Sequence, residues 1–74
     1  METEIVGKES SLKACIGLLS RMSDGWSLRG YGQYSPIYFQ QKDNIEYERA
    51  VGNRGGRKWV IIQTMVKKEE VGVK

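Results

Sequence analysis

The stretch IEYERAVGNRGGRKWVIIQTMVK, residues 45–67, decides the fold. Its first part alternates. Ile45, Tyr47, Arg49 and Val51 share one face of an extended chain, and Glu46, Glu48 and Ala50 share the other, because successive strand side chains point to opposite sides. Gly52-Asn53-Arg54-Gly55-Gly56 follows, made of residue types that tolerate the positive φ angles of a hairpin loop. Lys58–Lys67 is the returning strand, with Trp59, Ile61 and Met65 on one face and Val60, Ile62 and Val66 on the other. Apolar residues on both faces predict a central place in the sheet. Lys58, Lys67 and Lys68 flank this strand and guard it against aggregation.

Working towards the N-terminus, Lys42-Asp43-Asn44 reads as a short turn and Ile37–Gln41 as a strand. Ser35-Pro36 punctuates the chain, and Pro36, with no N–H to donate, belongs at a strand start or a sheet edge. Trp26–Tyr34 reads as a glycine-containing strand. Ahead of it, Leu12, Cys15, Ile16 and Leu19 recur at helical spacing, with Leu18 and Met22 widening the stripe. The spacing predicts a helix over 11–24, with Ser10 or Ser11 as its N-cap and Gly25 as its left-handed stop. Gly17 costs this helix about 1 kcal/mol relative to alanine and is expected to mark a close approach to the sheet. Residues 3–7 are a candidate short first strand. The prediction is an α+β fold over a single domain, 1–74. One N-terminal helix packs on a sheet of three or four antiparallel strands, in αβββ or βαβββ order. Residues 26–68 form the meander and 69–74 a loose tail.

A chain of 74 residues builds a core worth only about 3–5 kcal/mol before further support is needed. Cys15 is the only cysteine and there is no histidine, so neither an intrachain disulfide nor a Cys/His zinc site is available. Support is therefore expected from a partner or a second copy. Cys15 itself lies on the helix's apolar stripe and reads as a small core residue. The longest apolar run, Trp59–Ile62, is far below the roughly 18 residues that span a bilayer, and no membrane association is expected. Met1-Glu2-Thr3-Glu4 lacks the basic and apolar parts of a secretory signal, so the cytoplasm is the expected compartment.

Ser-His and Cys-His catalysis are excluded by the missing histidine. No phosphate-cradling loop is present: Gly52 is followed five residues on by Arg57, where a Walker motif needs its second glycine. Glu46 and Glu48 share a strand face, but nothing converges on them, and they read as a solvated face. The expectation is a protein that is not an enzyme and carries no cofactor or metal.

Two stretches point to binding instead. Arg29-Gly30-Tyr31-Gly32 sets a cation and an aromatic ring between small neighbours, a surface suited to base stacking and phosphate neutralisation. It matches the first four positions of the RNP1 pattern. Gln33, Tyr34 and Pro36 then break that pattern, and the second helix of the corresponding fold is missing. The other stretch, 49–58, holds Arg49, Arg54, Arg57 and Lys58 and no acid; such a patch attracts an acidic partner. Not all of Tyr31, Tyr34, Tyr38 and Tyr47 fit inside so small a core, and exposed tyrosines favour interfaces.

The candidate partner-binding residues are Arg29, Tyr31, Tyr34, Tyr38, Arg49, Arg54, Arg57 and Lys58, forming one interleaved surface if strand 26–34 and loop 52–58 lie on the same side. Docking is expected through that surface or through a sheet edge beside Pro36. The expected function is regulation or inhibition of a protein partner, one belonging to the nucleic-acid-handling machinery. Direct DNA or RNA binding is the alternative, and a homo-oligomeric structural domain the third reading. In general style, with no matched residues, the chain resembles the small accessory proteins of phages and mobile elements.

Overall fold

The structure is a computed structural model that describes residues 1–68; the tail read over 69–74 lies outside the described residues. Six elements follow one another: β1 (Glu2–Glu9), α1 (Leu12–Met22), β2 (Ser27–Tyr31), β3 (Pro36–Lys42), β4 (Ile45–Asn53) and β5 (Trp59–Lys67). The strands form a single sheet in the order β1-β5-β4-β3-β2, and every neighbouring pair is antiparallel. No helix among the described residues is long and apolar enough to cross a membrane.

The α+β class with one helix on an antiparallel sheet is as expected. The strand count is corrected from three or four to five, in the order βαββββ. The reason lies in β5. With Val51↔Ile61 and Gly52↔Val60 its register partners in β4, its other edge still needs a neighbour. β1 supplies it along its whole length, from Glu2↔Met65 to Glu9↔Trp59. The first strand is therefore eight residues long, not a short stub at 3–7. At the other edge, β2 stops at Tyr31, because the Gly32 N–H turns back to bond the Ser35 carbonyl at 2.8 Å.

Ser11 caps α1, its Oγ accepting from the Ala14 N–H at 3.1 Å. Cys15 and Leu19 are its two fully covered residues and meet Val51 and Ile61 beneath them. Burial raises the Cys15 thiol pKa, and the nearby Glu9 charge adds to the rise. Val6, Leu18, Met22, Tyr34, Tyr38 and Trp59 pack around this centre. Fully burying a leucine or isoleucine contributes about 1.5–3 kcal/mol, so a handful of such residues matters greatly in a chain this small.

The helix comes close to the sheet at Gly7, not at Gly17 as expected. A Cβ on Gly7 would sit 3.1 Å from both Ile61 Cδ1 and Leu18 Cδ2, whereas one on Gly17 would meet only the side chain of its helix neighbour Arg21. A bulge between Ile5 and Gly7 leaves Val6 out of register. It lets Val6 and Gly7 both serve the helix side, as two residues opposite one allow.

Pro36 is the first residue of β3, a start position as expected, but the edge reading is corrected: β3 lies between β2 and β4. Ser35 makes that placement workable. Its Oγ accepts from the Val51 N–H at 3.0 Å and donates to the Pro36 carbonyl at 2.9 Å. The hydroxyl thus satisfies a ladder amide beside a residue that has no N–H of its own.

Arg49 joins the remaining parts. Its Nη1 donates to the Met22 carbonyl at 2.6 Å, its Nε donates to Gln63 Oε1 at 2.7 Å, and its guanidinium lies 4.2 Å from the Trp26 ring centroid. One side chain thereby links β4, β5, the last turn of α1 and the start of β2. Hydrogen bonds to a charged group contribute about 1.5–3 kcal/mol. Arg49→Ala is accordingly expected to lower unfolding free energy by about 2–3 kcal/mol in urea titrations. Arg54→Ala, in the exposed loop, should stay within about 0.5 kcal/mol of the parent. Equal effects at the two positions would show that Arg49 is not a structural tie.

Candidate functional site

The β4–β5 connection is built for a tight, exposed turn. Asn53 ends β4, and its Oδ1 accepts from the Gly55 N–H at 3.0 Å. Gly55 and Gly56 take φ values of 101° and 58°, which side chains with a Cβ adopt only at a cost. The Arg54 N–H then bonds the Lys58 carbonyl at 2.8 Å, and the Lys58 N–H bonds the Gly55 carbonyl at 3.0 Å. This closed loop projects Arg54, Arg57 and Lys58, all exposed, above the end of the sheet.

An open groove of about 770 Å³ lies beneath it, between the loop and β1. Ile5, Trp59 and Val60 give it apolar walls; Lys8, Arg54, Arg57 and Lys58 bring four cations to it; Glu9 and Ser10 complete the lining. Ile5 is 38% exposed while Val60 beneath is 3% exposed, so the groove has a wet side and a closed floor. Lys8 reaches it because β1 pairs Lys8 with Val60 and Glu9 with Trp59. Among the described residues the salt bridges involve only Arg29 and Lys68 as cations. The groove's cations therefore hold no carboxylate in an ion pair within the described chain.

Three of the eight candidates, Arg54, Arg57 and Lys58, come together here. The other five lie elsewhere. Arg49 is under the helix, where burial pulls its pKa down. Tyr34 stands edge-on to Trp59, 5.1 Å between ring centroids, and Tyr38 packs against the core. Tyr31 is 76% exposed at the end of β2, on the edge of the sheet opposite to β1. None of the tyrosines lines the groove, and Trp59 is the one aromatic beside its cations.

Arg29 projects from β2 across the sheet face away from the helix. It lies 4.3 Å from the Phe39 ring centroid and bridges Glu46 and Glu48, the latter at 3.0 Å. Lys68 completes the cluster at 2.8 Å from Glu46. Glu46 and Glu48, read as a solvated face, are thus partners of Arg29. The Arg29 hydrogen bond, with that of Lys68 behind it, holds the Glu46 carboxyl below the usual glutamate range, and the hydrogen bonds to Glu46 and then Glu48 raise Arg29.

The sequence reading did not include Ile5, Lys8 or Val60 in a site. Lys8 and Val60 are brought together by register alone, and no local pattern joins segments so far apart in the chain. The available signal was the double-faced apolar character of β5, which calls for a second neighbour.

The lowered Glu46 pKa has a fixed sign. A carboxylate depressed by folding stabilises the fold above its unfolded pKa of about 4.3, and that contribution disappears as pH falls through the folded value. Glu46→Gln should therefore unfold more easily than the parent at neutral pH. The gap between their urea midpoints should close progressively below about pH 4. A gap independent of pH would mean that the Arg29 cluster contributes by packing alone.

Comparison with protein-family models, with curated proteins and with solved structures finds no match.

Proposed function

We propose that this chain is a non-catalytic binding protein that regulates a protein partner by docking its cationic groove onto an acidic segment that also carries an apolar side chain. The observation that supports this reading is the joining of apolar walls, Ile5, Trp59 and Val60, to four cations and one carboxylate in a single concavity. An apolar side chain would be desolvated on the walls while carboxylates meet the rim, and electrostatic steering would speed the encounter. Acid–base or metal chemistry has little to work with. Among the described residues no three His, Cys, Asp or Glu side chains gather as a metal site would require, and the chain has no histidine.

Protein is favoured over nucleic acid by where the aromatics lie. Stacking of successive bases needs several rings beside the cations, yet Trp59 is the one ring lining the groove, Tyr34 packs edge-on against it and Tyr38 packs against the core.

The test is calorimetric titration with a short Glu/Asp-rich peptide carrying leucine or valine, run beside single-stranded and duplex oligonucleotides. The peptide should bind, and binding should weaken as salt is raised. Arg54→Gln with Arg57→Gln should weaken it about tenfold or more, or about 1.4 kcal/mol. Binding of the oligonucleotides without the peptide would replace this reading with direct nucleic-acid binding. Failure of both would remove the groove as a binding site.

A further inference from the structure

We infer that the groove of one copy takes Glu69-Glu70-Val71 of a second copy, so that copies of this chain associate head to tail. The inference rests on the groove reading above and specifies a ligand for it. Two adjacent carboxylates followed by a valine are the chemistry the groove calls for: acids for Lys8, Arg54, Arg57 and Lys58, and an apolar side chain for the walls of Ile5 and Val60. Of the chain's other carboxylates, Glu9 already lines the groove, and Asp24 and Asp43 stand singly with no acid beside them. Glu46 and Glu48 are engaged by Arg29, and Glu2 and Glu4 are held in β1 against β5.

Position decides between the same copy and another. The Lys68 N–H bonds the Asn44 carbonyl at 2.7 Å, and Lys68 Nζ is held by Glu46. The chain thus leaves β5 at the β3–β4 turn, whereas the groove lies at the β4–β5 turn. Between the two ends runs β5, Trp59–Lys67; at about 3.3 Å per residue the near wall of the groove, Ile5 opposite Ile62, lies roughly 16 Å from Lys67 and the loop end roughly 26 Å. Glu69 to Val71 extends about 10 Å from Lys68 at most. At that reach these three residues cannot fill the groove of their own copy, so the segment that fills it comes from another.

The alternative route to self-association, pairing of sheet edges, is opposed by the fold. Both edge strands carry irregularities, between Ile5 and Gly7 in β1 and between Leu28 and Gly30 in β2, and bulges of this kind blunt an edge. A groove at one end and its ligand at the other make a heterologous contact, which propagates into open chains or closes into a ring.

Sedimentation of the full chain tests this. Average mass should rise with concentration and fall as salt is added. Arg54→Gln/Arg57→Gln removes the acceptor charge and Glu69→Gln/Glu70→Gln removes the donor charge. Each variant alone should remain at the monomer mass. Mixed in equal amounts they should form pairs that grow no further, since one intact groove meets one intact segment. Circular dichroism matching the parent shows that the variants are folded. The parent remaining monomeric at every concentration, or the Glu69→Gln/Glu70→Gln variant assembling like the parent, overturns the inference. If the acidic peptide still binds the parent in either case, the groove reading survives; if the peptide also fails, both fall together.

Discussion

The arrangement depends on the three-way tie made by Arg49. A helix of eleven residues spans only about 16 Å, and its packing is confined to β1, β4 and β5. Burial of Cys15 and Leu19 holds it against the sheet, but hydrophobic contact is non-directional and does not by itself set where the last turn ends. The Arg49 guanidinium does so by donating to the Met22 carbonyl and to Gln63 while stacking on Trp26. A cation at a helix C-terminus also opposes the partial negative charge there. With the helix fixed, Leu18 and Met22 press on Gly7. β1 is thereby held in register with β5, and that register forms the floor of the groove.

The two faces of the sheet serve different ends. On the helix side Val51 and Ile61 are sealed beneath Cys15 and Leu19. On the opposite side no helix lies over Val60 or Ile62, and charges are arranged along the face. At the β3–β4 end Arg29 and Lys68 are neutralised by Glu46 and Glu48. At the β4–β5 end Lys8, Arg54, Arg57 and Lys58 gather around Glu9 alone. Like charges held together destabilise the compact state through self-repulsion. A cluster without ion-pair partners among the described residues is not explained by the needs of the fold, which is what the proposed docking of an external acid draws on.

Much of this was legible in the alternation of residues 45–51 and 58–67. Tyr47↔Met65 and Val51↔Ile61 are register pairs on the predicted common face, because a half-buried hairpin writes its pattern locally. The extent of β1 was less legible. Its partner Val60 is far along the chain from Lys8, and local periodicity carries no information about such pairing. The glycine contact was misplaced for the same reason: Gly17 is conspicuous within a helical stripe, whereas Gly7 matters through Leu18 and Ile61, which only the tertiary fold brings near. Arg49 looked like one cation in a basic run, since alternation predicts its face but not that a helix carbonyl waits above it. Arg54, Arg57 and Lys58 were readable as a group because a hairpin loop keeps sequence neighbours together in space.

On the proposed reading, the groove accepts both a partner's acidic segment and that of a second copy. The two ligands compete for the same cations, so self-association lowers the fraction of open grooves as concentration rises. A partner must then outbind Glu69-Glu70-Val71, and the contest is decided by differential affinity. Both interactions weaken with salt, since both rely on exposed charges, but a partner that buries more of Ile5 and Trp59 retains an apolar contribution that salt does not screen. Discrimination between self and partner therefore falls to the apolar walls, and the cations set how quickly either ligand arrives.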